Sequence, residues 1–386
     1  MRKILLFRVV PLVIIFIIAA AVVINNPIYR NDHIEEVFIE TEDPEEAEEL
    51  FVPPLLDPLF SSRWDDGTAC GFFVADLRPR SMLTGLPTEE EYLDRRPIAV
   101  VINNLHRAMP QSGISYADVI YEVLTEGDVT RLVGIFQSYV PEKIGPVRSA
   151  RDSFIDFAYN HDAIFVHHGR SPDADTRLRN TGITNLDGMA LDGSVFLRYR
   201  NYPSWHHNTG QRPLEHSSFL FNEPMLRHIE NRGIRSYVNS DPAYGFNFGN
   251  VPEHPVSGVA NTIVVPFSVP YTRTFIFDEE TGLYLVENRE GPVRDANTEE
   301  QVSVANILIQ ITTKRVTGSL GQRTIGTVGS GEGFFVTGGI YRPVLWAKDS
   351  HTSPMRWYFT DGTPLVLSPG QTWICVFQNT GTVSFE

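Results

Sequence analysis

A chain of 386 residues that is 42% hydrophobic has room for about two domains of roughly 150 residues and enough apolar material to exclude general disorder. Its formal charge is −15, with ten of the negatives between Asp32 and Glu49 and a net −5 elsewhere; no basic stripe is present, which excludes a nucleic-acid partner, because such binding needs cationic surface that releases counterions. Cys70 and Cys375 are the only cysteines and form no CxxC or Cys/His array, so two unpaired thiols are expected and a specified zinc site is not.

In chain order, Arg2, Lys3 and Arg8 precede an apolar run from Val9 to Ile24, which has 16 residues, or 21 when Ile4 to Phe7 are joined across Arg8. About 20 residues span a bilayer, and positive charge ahead of the span keeps the N-terminus inside. Residues 1–26 are therefore read as a single-pass anchor in the cytoplasmic membrane with everything after it outside. The competing reading is a signal peptide cleaved near Ala19-Ala20-Ala21, giving a secreted protein. No cysteine lies near the end of the run, so it carries no lipid attachment site. Residues 27–80 form an acidic tether whose like charges resist collapse.

Residues 81–239 read as an α/β domain with a mixed sheet. Thr88 and Glu91 have capping-box spacing at the start of a short helix that Pro97 ends. Ile98 to Ile102 (IAVVI) is a continuous apolar run, as a strand buried on both faces requires. Tyr116 to Leu124 could be a helix start or a strand, Leu132 to Tyr139 a strand, and Ala163 to Val166 a short buried strand. Helices are expected over Ala150 to Tyr159, Asp173 to Thr181 and Pro224 to Arg232, the last closed by Gly233. From about residue 240 to 386 short β-prone segments alternate with turn signals, which indicates an antiparallel β-rich domain. The fold class is α+β, and the two parts are expected to stand as neighbours or to pack as one body.

The chemistry centres on Glu122 to Arg151. Arg131, Arg148 and Arg151 suit phosphate or carboxylate, because the guanidinium fork bonds these bidentately. Glu122 and Glu126 beside them could hold a divalent metal or act as a base. A helix starting at Ser149 or Ala150 would add free amides. The competing reading pairs Arg131 and Arg148 with Glu122 and Glu126 as a core ion-pair network. His167 and His216 are candidate assistants, and Asn103, Gln111, Ser171 and Arg198 candidate ligand contacts. There is no GxSxG elbow, P-loop or GxGxxG after a strand. Neither a reaction nor a cofactor is assigned.

LTGLP at 83–87, RRPIAVVINN at 95–104, PQSG at 110–113, TEGDVTRLVGIFQS at 125–138, EKIGPVRSAR at 142–151, HHGRSP at 167–172 and the tail from Leu345 to Trp373 resemble the YerB-like bacterial extracytoplasmic proteins. The resemblance spans about residues 82–376. It implies an N-terminal α/β and a C-terminal β-rich domain outside the cytoplasmic membrane, with no activity assigned. The family's aromatic-Arg segment fits Phe196-Leu197-Arg198; its following histidine fits either Glu215-His216-Ser217 or His206-His207-Asn208. The order of anchor, acid, Thr-Arg, turn and Arg-x-x-Arg is also similar to the LytR-CpsA-Psr envelope phosphotransferases, which bind a lipid pyrophosphate. Two functions are carried forward: binding of a cell-envelope glycan or phosphate-bearing ligand by the Arg/Glu/His cluster, or a noncatalytic membrane-tethered module for envelope proteins.

Overall fold

The computed structural model describes residues 78–386 apart from 208–209, 239–240, 252–253 and 318–320. The anchor, most of the tether and Cys70 lie outside the described residues. Among those described, no helix is long and apolar enough to cross a membrane.

The apolar run read as a doubly buried strand is strand β1, Ile98–Asn103, every residue of which is buried. Alternation sends Ile98, Val100 and Ile102 into one core and Ala99 and Val101 into the other. Each large aliphatic side chain so buried contributes roughly 1.5–3 kcal/mol. The ambiguous segment after Tyr116 is a strand, β2 (Val119–Leu124), followed by β3 (Thr130–Phe136), β4 (Lys143–Ile144), β5 (Ile164–His167), β6 (Asn185–Asp187), β7 (Phe196–Arg198) and β8 (Ser218–Phe221). Helices are α1 (Glu90–Leu93), α2 (Asp152–Tyr159), α3 (Pro172–Thr181), α4 (Gly188–Leu191) and α5 (Asn222–Asn231). Two expected helix starts differ. Thr88 makes no side-chain cap on α1, which follows Glu89. Neither Ser149 nor Ala150 opens α2, because Ala150 is paired as an extended bridge, its amide donating to the Gly169 carbonyl and its carbonyl accepting from the Ser171 amide.

One sheet of 11 strands joins both halves of the chain. Its order is Gly258–Val259, Ile340–Lys348, Gly329–Thr337, Asn306–Thr312, Thr372–Gln378, β2, β3, β1, β5 and β6, with Arg356–Phe359 beside Ile340–Lys348. The seam between halves is the parallel pairing of β2 with Thr372–Gln378, in register from Val119 with Thr372 to Val123 with Val376. Gly333 and Gly329 lie in a long strand rather than in turns; only Gly338-Gly339 make the hairpin. A second, six-stranded antiparallel sheet carries Ile263, Val265, Phe275, Tyr284 and Val286 on its inner face and covers one side of the large sheet. Helices α2 and α3, together with Trp346 and Trp357, cover the other side. Mixed and antiparallel sheets are thus both present, as an α+β chain requires.

Candidate functional site

Strands β1, β5 and β6 are parallel, and β1 and β2 both run antiparallel to β3. The carboxyl ends of β1, β2, β5 and β6 therefore share one edge with the start of β3. Ligands in α/β sheets sit at such carboxyl ends. Beyond the paired residues 98–100 and 164–166, the segment Val147–Ala150 lies between the ends of β1 and β5. The Arg148 amide donates to the Val101 carbonyl at 2.9 Å, and the His168 amide donates to the Arg148 carbonyl at 3.0 Å. Arg148 is thereby held at the point where the sheet opens.

Three arginines converge there. Arg131, opposite Asn103 in register, donates to Glu126 Oε1 at 3.1 Å and to the Ser149 carbonyl at 2.9 Å. Arg151, just ahead of α2, donates to Glu126 Oε2 at 2.8 Å and also to Oε1. Glu126 sits in the turn from Thr125 to Val129, where Gly127 takes φ +70°. Burial opposes ionisation of Glu126, but the hydrogen bond from Arg151 and the charges of Arg131 and Arg151 outweigh it and hold the carboxyl down to about 2. Burial and the nearby Arg151 push Arg131 down to about 9, still charged at neutral pH. Arg148 has no carboxylate ion pair among the described residues. Its Nη1 donates to the Glu215 carbonyl at 2.8 Å, and its Nε is buried without a hydrogen-bond partner.

Asn103 and His216 stand beside Arg148. The Asn103 Oδ1 accepts from the Leu105 amide at 3.1 Å, which fixes the amide group and leaves Nδ2 to donate to His216 Nδ1 at 2.9 Å. Neutral His216 thus carries its proton on Nε2, which faces the exposed Glu215 carboxylate at 3.9 Å. Burial, then Arg148, lower the His216 imidazole pKa. Gln111 braces this corner from behind, donating to the Asn103 carbonyl at 3.2 Å and Asn104 Oδ1 at 2.9 Å; its own Oε1 is buried without a partner.

The remaining candidates lie elsewhere. Glu122 shares a face with Leu132, whereas Arg131 shares the opposite face with Val123, so pleating separates Glu122 from the arginines. Its oxygens are taken by Arg273 (2.8 and 3.1 Å), Thr130 (2.8 Å), Asn104 (3.2 Å) and the Trp373 indole (3.2 Å). Such a satisfied carboxylate is a counter-ion, with no oxygen left for a base or metal role. The network reading is likewise redrawn: Arg131 and Arg151 pair with Glu126, and Glu122 pairs with Arg273. His167 is fully buried, with Nδ1 2.9 Å from the Gly169 carbonyl. Its neighbour His168, one residue past the end of β5, is the half-buried one; Arg198 donates to its Nε2 at 3.1 Å, and Nδ1 lies 2.8 Å from Ser218 Oγ. Gly188 lets His168 approach, since a Cβ there would lie 2.2 Å from the imidazole Nδ1. Arg198 is also held by Asp192 at 2.8 Å.

Ser171 caps α3, its Oγ accepting from the Ala174 amide at 3.2 Å. Ser171→Ala should cost about 1 kcal/mol in a urea melt and leave oxyanion binding unchanged. Among the described residues no three His, Cys, Asp or Glu side chains are grouped to hold a metal ion. Cys375 is buried mid-strand, and burial, then Glu122, raise its thiol pKa well above the usual value.

With this geometry in hand, the chain's relatives are informative. Residues 83–235 match the family described as "Protein of unknown function (DUF3048) N-terminal domain", and residues 263–374 match the corresponding C-terminal domain. The chain belongs to this family. It is 30% identical over 311 residues to "Putative lipoprotein YerB" of Bacillus subtilis (strain 168), an alignment covering 80% of this chain and 88% of that protein. The crystal structure of the YerB protein from Bacillus subtilis is 28% identical to it, with a TM-score of 0.69, covering 80% of this chain and 100% of that one. The charged edge lies within the first matched region, while the strand that closes β2, Thr372–Gln378, begins in the second and extends past its end.

Proposed function

We propose that this chain is an extracytoplasmic, membrane-associated envelope protein whose sheet edge binds an oxyanion, with Arg148 as the principal contact and Arg131 and Arg151 as supporting charge. The observation that carries this reading is Arg148 itself: a guanidinium with no carboxylate partner among the described residues and an unmet buried Nε, at the point where β1 and β5 part. Arg131 and Arg151 share the single carboxylate of Glu126 beside it, in a protein whose overall charge is −15. A phosphate or carboxylate would complete the set, and a charged pair of this kind contributes about 2 kcal/mol or more. The envelope location draws on two supports: the basic-flanked run from Val9 to Ile24, and the description of the Bacillus subtilis relative as a lipoprotein. A phosphate-bearing envelope component is the ligand class that fits both the site and the place.

The test is calorimetric titration with sulfate and inorganic phosphate. Arg148→Ala should weaken binding roughly 30-fold while shifting unfolding stability by less than about 0.5 kcal/mol, as for other partly exposed positions. Equal affinity in the variant, or no oxyanion binding by the native protein, would sink the reading.

A further inference from the structure

Resting on that reading, we propose that His216 is a proton-carrying ligand of the oxyanion site. Its Nε2 meets the bound anion, Asn103 positions it, and binding takes up a proton, so that the site prefers a dianion over a monoanion.

The geometry fixes one imidazole nitrogen and frees the other. Asn103 is buried at the end of β1, and its Nδ2 can only donate, so His216 Nδ1 must accept. The proton of the neutral ring is therefore on Nε2. A second proton enters at Nδ1 only if Asn103 turns to offer its Oδ1, giving up the Leu105 amide, and that turn needs a strong partner for the charged ring. At present it has none. The charged groups that face the ring are Arg148 and Arg107, both of which disfavour imidazolium, and Glu215, which favours it. Behind Arg148 stand Arg151, which adds positive charge, and Glu126, which is shared with Arg131. Glu215 is solvent-exposed, with 59% of its side chain accessible, and reaches Nε2 only at 3.9 Å, so it is a weak and screened partner.

An oxyanion seated on Arg148 adds negative charge beside this ring. It reverses the local balance and raises the imidazole pKa from its depressed value. In the window between the free and bound values the complex holds more protons than the free protein, so affinity rises as pH falls. A dianion gains from both Arg148 and imidazolium, whereas a monoanion is largely satisfied by Arg148 alone.

Sulfate and methyl sulfate give a clean test, because neither changes charge between pH 5.5 and 7.5. Calorimetry of the native protein at pH 6 in two buffers of different ionisation enthalpy should show uptake of a substantial fraction of a proton with sulfate. Sulfate affinity should rise several-fold from pH 7.5 to 5.5, and methyl sulfate should bind more weakly with a shallower slope. His216→Gln should lose the pH slope and bind sulfate more weakly than the native protein at pH 5.5. Sulfate binding without proton uptake, or with the same slope in His216→Gln, overturns the role of His216 and leaves the oxyanion site standing. An absence of sulfate binding at every pH overturns the site and this inference together. The two-buffer measurement needs no variant, so it decides the matter even if His216→Gln fails to fold.

Discussion

Arg273→Ala should destabilise the protein by about 3–5 kcal/mol, the cost of leaving a buried carboxylate without its counter-ion. Arg273 and Glu122 are each about 2% exposed, and they meet through two hydrogen bonds across the gap between the large sheet and the six-stranded sheet. The guanidinium also lies over the Trp373 ring, 5.0 Å from its centroid. Removing Arg273 leaves Glu122 with Thr130, Asn104 and Trp373 as donors but no positive charge. Removing both partners is a different matter. Glu122→Gln with Arg273→Met deletes the charge and its counter-ion together, and such replacements are often close to neutral. The double variant should therefore recover most of the loss in a guanidinium chloride melt. A single-variant loss below about 1 kcal/mol would mean that the three neutral donors suffice and that the ion pair is incidental.

Acidification should weaken the fold through His161, by roughly 3 kcal/mol between about pH 6.5 and pH 4. This ring is buried, with Nδ1 donating to the Tyr244 carbonyl at 3.0 Å and Nε2 2.8 Å from the Tyr121 hydroxyl, which Asn160 also contacts. Burial holds its pKa down to about 4. In the unfolded chain the imidazole binds a proton near pH 6.5, so between pH 6.5 and 4 the unfolded state holds more protons and stability rises with pH. The contribution is fully present above pH 6.5 and is lost as pH falls towards 4. His167, His168 and His216, also lowered by burial, act in the same direction. Asp118 opposes them: burial raises its carboxyl to about 6, so its protonated form favours the folded state below that pH. The clean comparison is therefore the pH 7 to pH 4.5 change in urea-unfolding free energy for the native protein against His161→Gln. A slope unchanged by the substitution would remove His161 from the account.

Much of this was legible from residue patterns. IAVVI announced a doubly buried strand, and the arginines following Gly145-Pro146 did converge with Glu126. Local pattern failed where the partner was distant in sequence. Nothing near Glu122 announces Arg273, 151 positions later, so Glu122 read as part of the arginine cluster. One step of pleat separates the two, and strand parity applied to Glu122, Leu132 and Arg131 would have shown it. Parity does not choose between His167 and His168, because both faces of β5 are buried and His168 is accessible only because it lies past the strand's end. Arg107 had no signal at all, because the approach of its turn to His216 is set by tertiary packing. The β-rich tail was read correctly as strands. That its strands extend the sheet of the first half could not be read, since β propensity says nothing about which edge a strand will join.

The parallel seam has a consequence for the order in which the molecule is made. A chain that emerges amino end first has delivered β1, β2 and β3 long before Thr372–Gln378 follows. Until then β2 presents an unpaired row of amides and carbonyls, the kind of edge that recruits strands from other molecules. A fragment ending near residue 239 would keep that edge permanently open, and a fragment beginning there would leave Thr372–Gln378 paired on one side alone. The two regions matched separately as family domains thus share one sheet. Its completion is a late, long-range event of the kind that slows folding and favours a chaperone's holding step.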